Sequence, residues 1–104
     1  MDRSLKGYQK RVVELERIKG WGSDVGTKIY YAILELAEAG QIWKHRENKD
    51  FDSKALVEEL IDAFFYILEA AYHVDPSIDL DTIFDYKFDL NLRRNRVYPD
   101  DRRM

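Results

Sequence analysis

Two pairs of acidic residues, each set inside an apolar helix-like stretch, place the strongest constraint on how this chain folds. Glu35 and Glu38 lie three residues apart, and Glu59 and Asp62 repeat that spacing further along. Residues three apart on a helix share one face. A buried ionised carboxylate is costly unless a cation or strong donors accompany it. The pattern therefore predicts two packed helices that hold a metal ion between these four acids.

Helical periodicity extends over most of the chain, because apolar residues recur at intervals of three and four. The predicted helices span about residues 2–19, 27–46, 53–73 and 80–95. The predicted N-terminal caps are Asp2 or Ser4, Ser23 or Asp24, Asp52 or Ser53, and Asp79. Gly20 and Pro76 mark two of the breaks between helices. No useful stretch alternates with the period of a strand, so the predicted fold is an all-α bundle of about four helices.

Length and composition indicate one domain. The 104 residues suit a single domain, with a core at about residues 5–95 and a charged tail at 96–104. The 17 basic and 20 acidic residues nearly balance, which argues against nucleic acid or an anionic membrane as a partner. The absence of cysteine excludes disulfides and thiolate metal sites. Neither a signal peptide nor a membrane-spanning segment is evident, so a cytoplasmic location is expected.

The four acids predict a particular class of metal. Oxygen ligands without histidine or cysteine favour Mg²⁺, with Mn²⁺ as an alternative, and this preference suggests phosphate chemistry. Two other interpretations stay open. The acids could form two solvated helix faces, or they could belong to a di-iron carboxylate site. For that second site the nearest match, Glu69 and His73, has a spacing of four rather than three.

Three polar residues near the end of the last predicted helix share one edge. Lys87, Asn91 and Arg94 follow one another at intervals of four and three. They combine a point charge, an amide and a forked guanidinium, which suits a phosphate group. A solvated helix face is the alternative. The arginines around and beyond this segment are interleaved with Asp100 and Asp101, so no nucleic-acid binding is expected.

The acidic pattern resembles that of the MazG-like all-α nucleoside triphosphate pyrophosphohydrolases, whose motif is E-E-x-x-E followed, after a gap, by E-x-x-D. Here the first part reads Leu34-Glu35-Leu36-Ala37-Glu38, and 20 residues separate it from Glu59-Leu60-Ile61-Asp62. The similarity extends from about Trp21 to Arg94 and includes the downstream Lys-x-x-x-Asn-x-x-Arg element. Leu34 stands where the family usually has its first glutamate, which leaves the number of bound metals open.

The resemblance implies Mg²⁺-dependent hydrolysis of a nucleoside triphosphate between its α and β phosphates, giving a monophosphate and pyrophosphate. Glu38 is the expected proton acceptor for the attacking water. Trp21, which lies in a glycine-containing loop, is the expected stacking surface for the nucleobase. The preferred base and sugar are not evident. A non-catalytic helical interaction module, with the acids in a structural role, is the alternative function, and Leu34 is the residue that favours it.

The two central helices carry apolar residues on more than one face, including Tyr31, Leu34 and Ile42 on the first. Two short outer helices can cover only part of this surface, and monomeric proteins rarely expose large apolar patches. A symmetric homodimer that completes a four-helix core across two chains is therefore expected. The resemblance adds that such relatives assemble as dimers or tetramers. In such an assembly Lys87, Asn91 or Arg94 could reach the acids of the neighbouring chain.

Overall fold

The computed structural model describes residues 1–94 and consists of four helices. Their bounds are α1 Leu5–Lys19, α2 Val25–Lys44, α3 Ser53–Val74 and α4 Leu80–Arg93. The described part of the chain contains no strand, so the predicted all-α helical bundle is confirmed. The expected charged tail, 96–104, lies outside the described residues.

Each helix begins at a polar residue whose side chain accepts a hydrogen bond from a backbone N–H of the first turn. The caps and the residues that donate to them are Ser4 with Gly7, Asp24 with Thr27, Asp52 with Lys54, and Asp79 with Asp81. Helix α1 ends at Gly20, whose φ of 68° is the left-handed conformation that glycine adopts without steric cost. The caps and the glycine stop agree with the sequence-based prediction.

Helices α2 and α3 form an antiparallel pair with alanines at their contact. Ala32 and Ala39 of α2, and Ala63 and Ala70 of α3, are all buried, Ala63 at 1% exposure. Side chains this small let two helices approach closely. Contacts along the pair run in opposite directions on the two helices, from Lys28 with Glu69 at one end to Glu38 with Glu59 at the other.

Helix α1 packs on α3, and α4 packs on α1 alone among the described helices. Gln9 is buried, and its Nε2 donates to the carbonyl of Leu68 at 3.1 Å. The carboxylate of Asp81 accepts from the backbone N–H groups of Leu5 and Lys6 at 2.9 and 3.1 Å. Asp81 thereby ties the first turn of α4 to the first turn of α1, where an anion is favoured.

Many large apolar side chains are exposed in one chain. In α2 the affected side chains are Ile29 (51% exposed), Ile33 (57%), Leu36 (47%) and Trp43 (53%). In α4 both Phe84 and Phe88 are exposed. The radius of gyration is 16.3 Å, against about 13 Å for a compact chain of roughly 100 residues. Among the described helices, α2 packs against α3 alone and α4 against α1 alone, so each of them leaves an apolar face uncovered.

Within residues 1–94, none of the helices combines the length and the apolar character needed to cross a bilayer.

Candidate functional site

A line of polar side chains follows the seam between α2 and α3. At one end the Nζ of Lys28 lies 3.1 Å from Oε2 of Glu69. In the middle the rings of Tyr31 and Tyr66 are in contact at a tilt of 52°, with centroids 5.5 Å apart. The acids follow at the other end. Residues at intervals of three and four on both helices thus form one continuous polar strip.

Three of the four predicted acids come together at the acidic end of this strip. Glu35, Glu38 and Glu59 each contribute a carboxylate oxygen, and these oxygens lie within 4.8 Å of one another. Glu35 and Glu59 are half-buried, whereas Glu38 is exposed. Asp62 is exposed and does not belong to this close set among the described residues. Its charge still acts on Glu35, which places it at the edge of the cluster rather than within it.

The crowding of negative charge changes the protonation of Glu35. A hydrogen bond with Glu59, partial burial, and the charges of Glu38, Glu59 and Asp62 raise the pKa of Glu35 to about 7. Two carboxyl groups can share a hydrogen bond only when one of them carries a proton. Near neutral pH the cluster therefore holds a proton, and a cation in its place would relieve the same repulsion.

The geometry of the cluster fits a small divalent cation. Mg²⁺ holds oxygen ligands at about 2.1 Å, so neighbouring ligands lie roughly 3–4 Å apart. A separation of at most 4.8 Å among three carboxylate oxygens is close to that range, and side-chain rotation covers the remainder. The donors are all carboxylates, which suits Mg²⁺ or Mn²⁺.

The nearest match to a di-iron motif, Glu69 and His73, is engaged in other contacts. Glu69 pairs with Lys28, and Nε2 of His73 lies 2.6 Å from Oε1 of Glu16. Both residues are thus engaged in a separate, buried network formed by Glu16, Lys28, Glu69 and His73. They do not approach the three-carboxylate cluster in the described residues.

A cavity of about 530 Å³ opens at the other end of the strip. Its lining residues are Trp21, Gly22, Ser23, Asp24, Thr27, Lys28, Tyr31 and Tyr66. Trp21 lies on its rim with half of its surface exposed. The volume is within the range of small-molecule sites. The cavity and the acids adjoin, because Glu35 lies one helical turn from Tyr31.

Tyr66 connects the cavity to the acidic cluster. Burial is the main cause of the raised pKa of its hydroxyl, and the negative charge of Glu35 adds to it. The phenol therefore stays protonated and can both donate and accept a hydrogen bond between the two parts of the strip.

The predicted phosphate-binding residues of α4 do not meet the acids within one chain. Lys87 and Asn91 are exposed on α4, which contacts neither α2 nor α3 in the described residues. The expectation that Arg94 shares their helix edge is wrong. The helix ends at Arg93, and Arg94 is extended, with φ −66° and ψ 129°.

The buried network around Lys28 was not predicted. Lys28 is 4% exposed, and its ammonium lies 3.0 Å from Oε2 of Glu16 and 3.1 Å from Oε2 of Glu69. Burial disfavours its charged form, but the two carboxylates outweigh burial and raise the pKa of Lys28. A signal existed in the sequence: Lys28 precedes Glu35 by two turns, and Glu69 follows Asp62 by two turns, so both extend the acidic faces.

Comparison of the chain with protein-family models, with curated proteins and with solved structures finds no match in any of the three.

Proposed function

We propose that this protein is a Mg²⁺-dependent nucleoside triphosphate pyrophosphohydrolase, which cleaves its substrate between the α and β phosphates. The observation that carries the proposal is the junction, along one helix seam, of a three-carboxylate cluster with an aromatic-lined cavity. The resemblance of the two acidic pairs to the MazG-like motif supports the same reaction class.

The two parts of the seam match the two parts of a nucleotide. The aromatic surfaces of Trp21, Tyr31 and Tyr66 suit a flat, partly apolar base. The carboxylates suit the cation that accompanies a triphosphate. Lys28 in the cavity and Glu35 in the cluster are separated by two turns of α2, roughly 10 Å along the axis. The nucleoside part of a nucleotide can bridge that distance, so that the base lies in the cavity and the α phosphate lies near the acids.

In this proposal Glu35, Glu38 and Glu59 hold the metal, and Asp62 completes the site from its edge. When bound, Mg²⁺ neutralises charge on the triphosphate and lowers the pKa of the attacking water. Mn²⁺ would fit the same carboxylates. Leu34 contributes no ligand, so this side chain cannot recruit a further ion.

Glu38 is the best-placed proton acceptor in the cluster. It is the exposed member, so its carboxylate reaches both water and the reacting phosphate. As the water oxygen bonds to the α phosphorus, Glu38 takes a proton from it. The bond from that phosphorus to the bridging oxygen breaks, and the electron pair leaves with pyrophosphate. The proton then passes from Glu38 to solvent, and the products are a nucleoside monophosphate and pyrophosphate.

A homodimer, or a tetramer built from it, completes the proposal. The exposed apolar side chains of α2 and α3 would pack against those of a second chain and form a four-helix core. Lys87, Asn91 and Arg94 are free of the acids in their own chain, so they would bind phosphates at the acids of the partner. A point charge and a guanidinium there would stabilise charge that develops on the leaving pyrophosphate.

The direct test is incubation of the protein with a panel of nucleoside triphosphates and Mg²⁺, with detection of pyrophosphate and of the monophosphate. We expect equal amounts of the two products, and none with Glu38→Gln. Release of orthophosphate instead would place cleavage at a different bond. A folded protein that is silent with every nucleotide would favour a non-catalytic interaction module, for which the exposed apolar face of α2 is the supporting observation.

A further inference from the structure

Lys28 lines the cavity, while its ammonium pairs with the buried carboxylates of Glu16 and Glu69. Its side chain lines the cavity although only 4% of the residue surface is exposed. Its Nζ is 5.9 Å from the centroid of the Tyr66 ring, which also lines the cavity. Lys28 therefore presents a charged donor at the boundary between a buried network and a space large enough for a ligand.

The ammonium keeps donor capacity for a ligand. Among the described residues its ion-pair partners are Glu16 and Glu69. Both lie at ion-pair distance, yet the two facing oxygens make no well-aligned hydrogen bond. An ammonium has three N–H donors, so at least one is available. Rotation about the side-chain end can aim it into the cavity while both ion pairs persist.

The charge of the network selects the kind of group that binds there. The network sets two carboxylates against one ammonium and the imidazole of His73, so its net charge is not positive and it does not attract a phosphate. Both carboxylates are buried behind Lys28: Glu16 is 4% exposed and Glu69 is 1% exposed. A ligand in the cavity therefore meets a hydrogen-bond donor without net positive charge. The matching group is a neutral acceptor, for which a carbonyl oxygen is the strongest choice in a nucleobase.

The orientation of a bound nucleoside follows from the position of the acids. With its phosphates at the carboxylate cluster, the sugar faces the acids, and the edge of the base farthest from the sugar points toward Lys28. That edge carries the substituent at position 4 of a pyrimidine or position 6 of a purine. A carbonyl oxygen at that position accepts a hydrogen bond from the ammonium. An amino group at that position would place its N–H donors against the N–H donors of the ammonium.

We propose that Lys28 determines base specificity, by donating to the 4-oxo group of a pyrimidine or the 6-oxo group of a purine. The inference rests on the proposed function for the orientation of the nucleotide. Oxo bases, uracil and hypoxanthine among them, are then preferred to cytosine and adenine. Glu16 and Glu69 act as positioning residues, since they fix the ammonium at the cavity wall and keep it charged.

Binding of free nucleosides without Mg²⁺ tests this inference apart from hydrolysis. In NMR titrations of the full chain, uridine should bind at least tenfold more tightly than cytidine, and inosine more tightly than adenosine, since loss of a hydrogen bond to a charged group lowers affinity by roughly tenfold or more. A pyrimidin-2-one nucleoside, which lacks any group at position 4, should bind as weakly as cytidine. Equal affinities across these pairs, or no binding, would overturn the inference.

Two variants locate the preference in Lys28. Lys28→Met should bind uridine and cytidine equally, while Lys54→Met, which removes an exposed lysine of α3, should keep the parent ratio. Preference retained in a folded Lys28→Met chain would assign it to another residue and overturn the inference. If Lys28→Met does not fold, the pyrimidin-2-one comparison decides with the parent protein alone. Pyrophosphate release that is equal for all bases would overturn the role of Lys28 and leave the proposed function standing.

Discussion

The Nζ of Lys28 and the Oε2 of Glu69 lie 3.1 Å apart across the α2–α3 seam, and both side chains are almost fully buried. With Glu16 as the second carboxylate, this pair joins three helices through charge rather than through apolar packing alone. Charged residues are rarely buried unless paired. The network therefore fixes how α1, α2 and α3 meet, and it does so beside the cavity.

Loss of the ammonium should destabilise the protein far more than loss of a surface lysine. Lys28→Met leaves two carboxylates buried without their cation, and removal of one partner of a buried pair costs about 3 kcal/mol or more. Lys54→Met should change the free energy of unfolding by less than about 0.5 kcal/mol. Urea unfolding followed by circular dichroism measures both. Similar values for the two variants would mean that the network contributes little to stability.

The stability of the metal-free protein should depend on pH through Glu35. Its pKa is raised from 4.5 to about 7 in the folded chain, so the folded state binds this proton more tightly than the unfolded state. The resulting stabilisation is fully present below about pH 4.5 and is lost as the pH rises through about 7. Melting temperatures in EDTA should fall across this window.

Glu35→Gln should remove that part of the pH dependence, because an amide does not titrate. Glu58→Gln is the matched control: Glu58 is exposed on α3 beside Glu59 and outside the close carboxylate set. The control should keep the fall in melting temperature. A parent protein whose melting temperature is flat between pH 4.5 and 7 would contradict the shared proton.

Mg²⁺ should stabilise the folded protein at pH 7.5, because an ion that binds only the native state contributes about 2.7 kcal/mol at one hundred times its dissociation constant. Glu59→Gln should abolish this shift in melting temperature. Asp62→Asn should reduce it less, since Asp62 lies at the edge of the cluster. Thermal melts with and without Mg²⁺ compare the variants, again with Glu58→Gln as control. Equal shifts in all four proteins would rule out a shared site.

Trp21 should affect substrate binding and not folding. It is 50% exposed on the rim of the cavity and lies in the loop between α1 and α2, so Trp21→Ala leaves the contacts between helices in place and should change the melting temperature only slightly. Loss of one stacked aromatic should raise KM for the nucleotide roughly tenfold or more. Trp43→Phe, which alters the other tryptophan outside the cavity, should leave KM unchanged. A large fall in melting temperature with Trp21→Ala would make Trp21 a structural residue.

The helix ends could be predicted from the sequence because they depend on neighbouring residues. The burial of side chains could not, because it depends on how the helices pack. Helix ends depend on caps such as Ser4 and Asp24, on Gly20 and on apolar periodicity, all of which act within a few residues. The burial pattern could not be predicted in the same way. The large side chains of α2, such as Ile33, dominate its hydrophobic pattern, yet the helix contacts α3 through alanines. Which face of α2 is buried depends on the partner helix and on how closely the two helix axes approach each other.

In the candidate site too, features set by local spacing could be predicted, and features set by helix packing could not. The acids could be recognised because their spacing alone places each pair on one helix face. The edge position of Asp62 depends on the register of α2 against α3, which the spacing does not specify. The role of Lys28 depends on Glu16 and Glu69, carried by two other helices. Glu69 could be assigned to an iron site from the sequence because its partner was not evident.

The chain should associate, and its active site should require two chains. The exposed apolar residues of α2 and α4 exceed what a monomer usually leaves open. Light scattering at micromolar concentration should therefore give at least about twice the chain mass of 12.4 kDa. A mass near 12.4 kDa would rule out the dimer.

Mixing two inactive variants tests whether the site is shared. Glu59→Gln disables the acids of its own chain, and Arg94→Ala removes the exposed guanidinium that is proposed to serve the partner. In a mixed dimer one site then lacks both groups, and the other has intact acids together with an intact Arg94. Random exchange of equal amounts should restore about one quarter of the parent activity, because half of the dimers are mixed and each has one complete site. Mixing Glu59→Gln with Glu38→Gln is the control, since every mixed site then keeps a damaged set of acids. A dimer in which the first mixture stays as inactive as this control would place each site within a single chain.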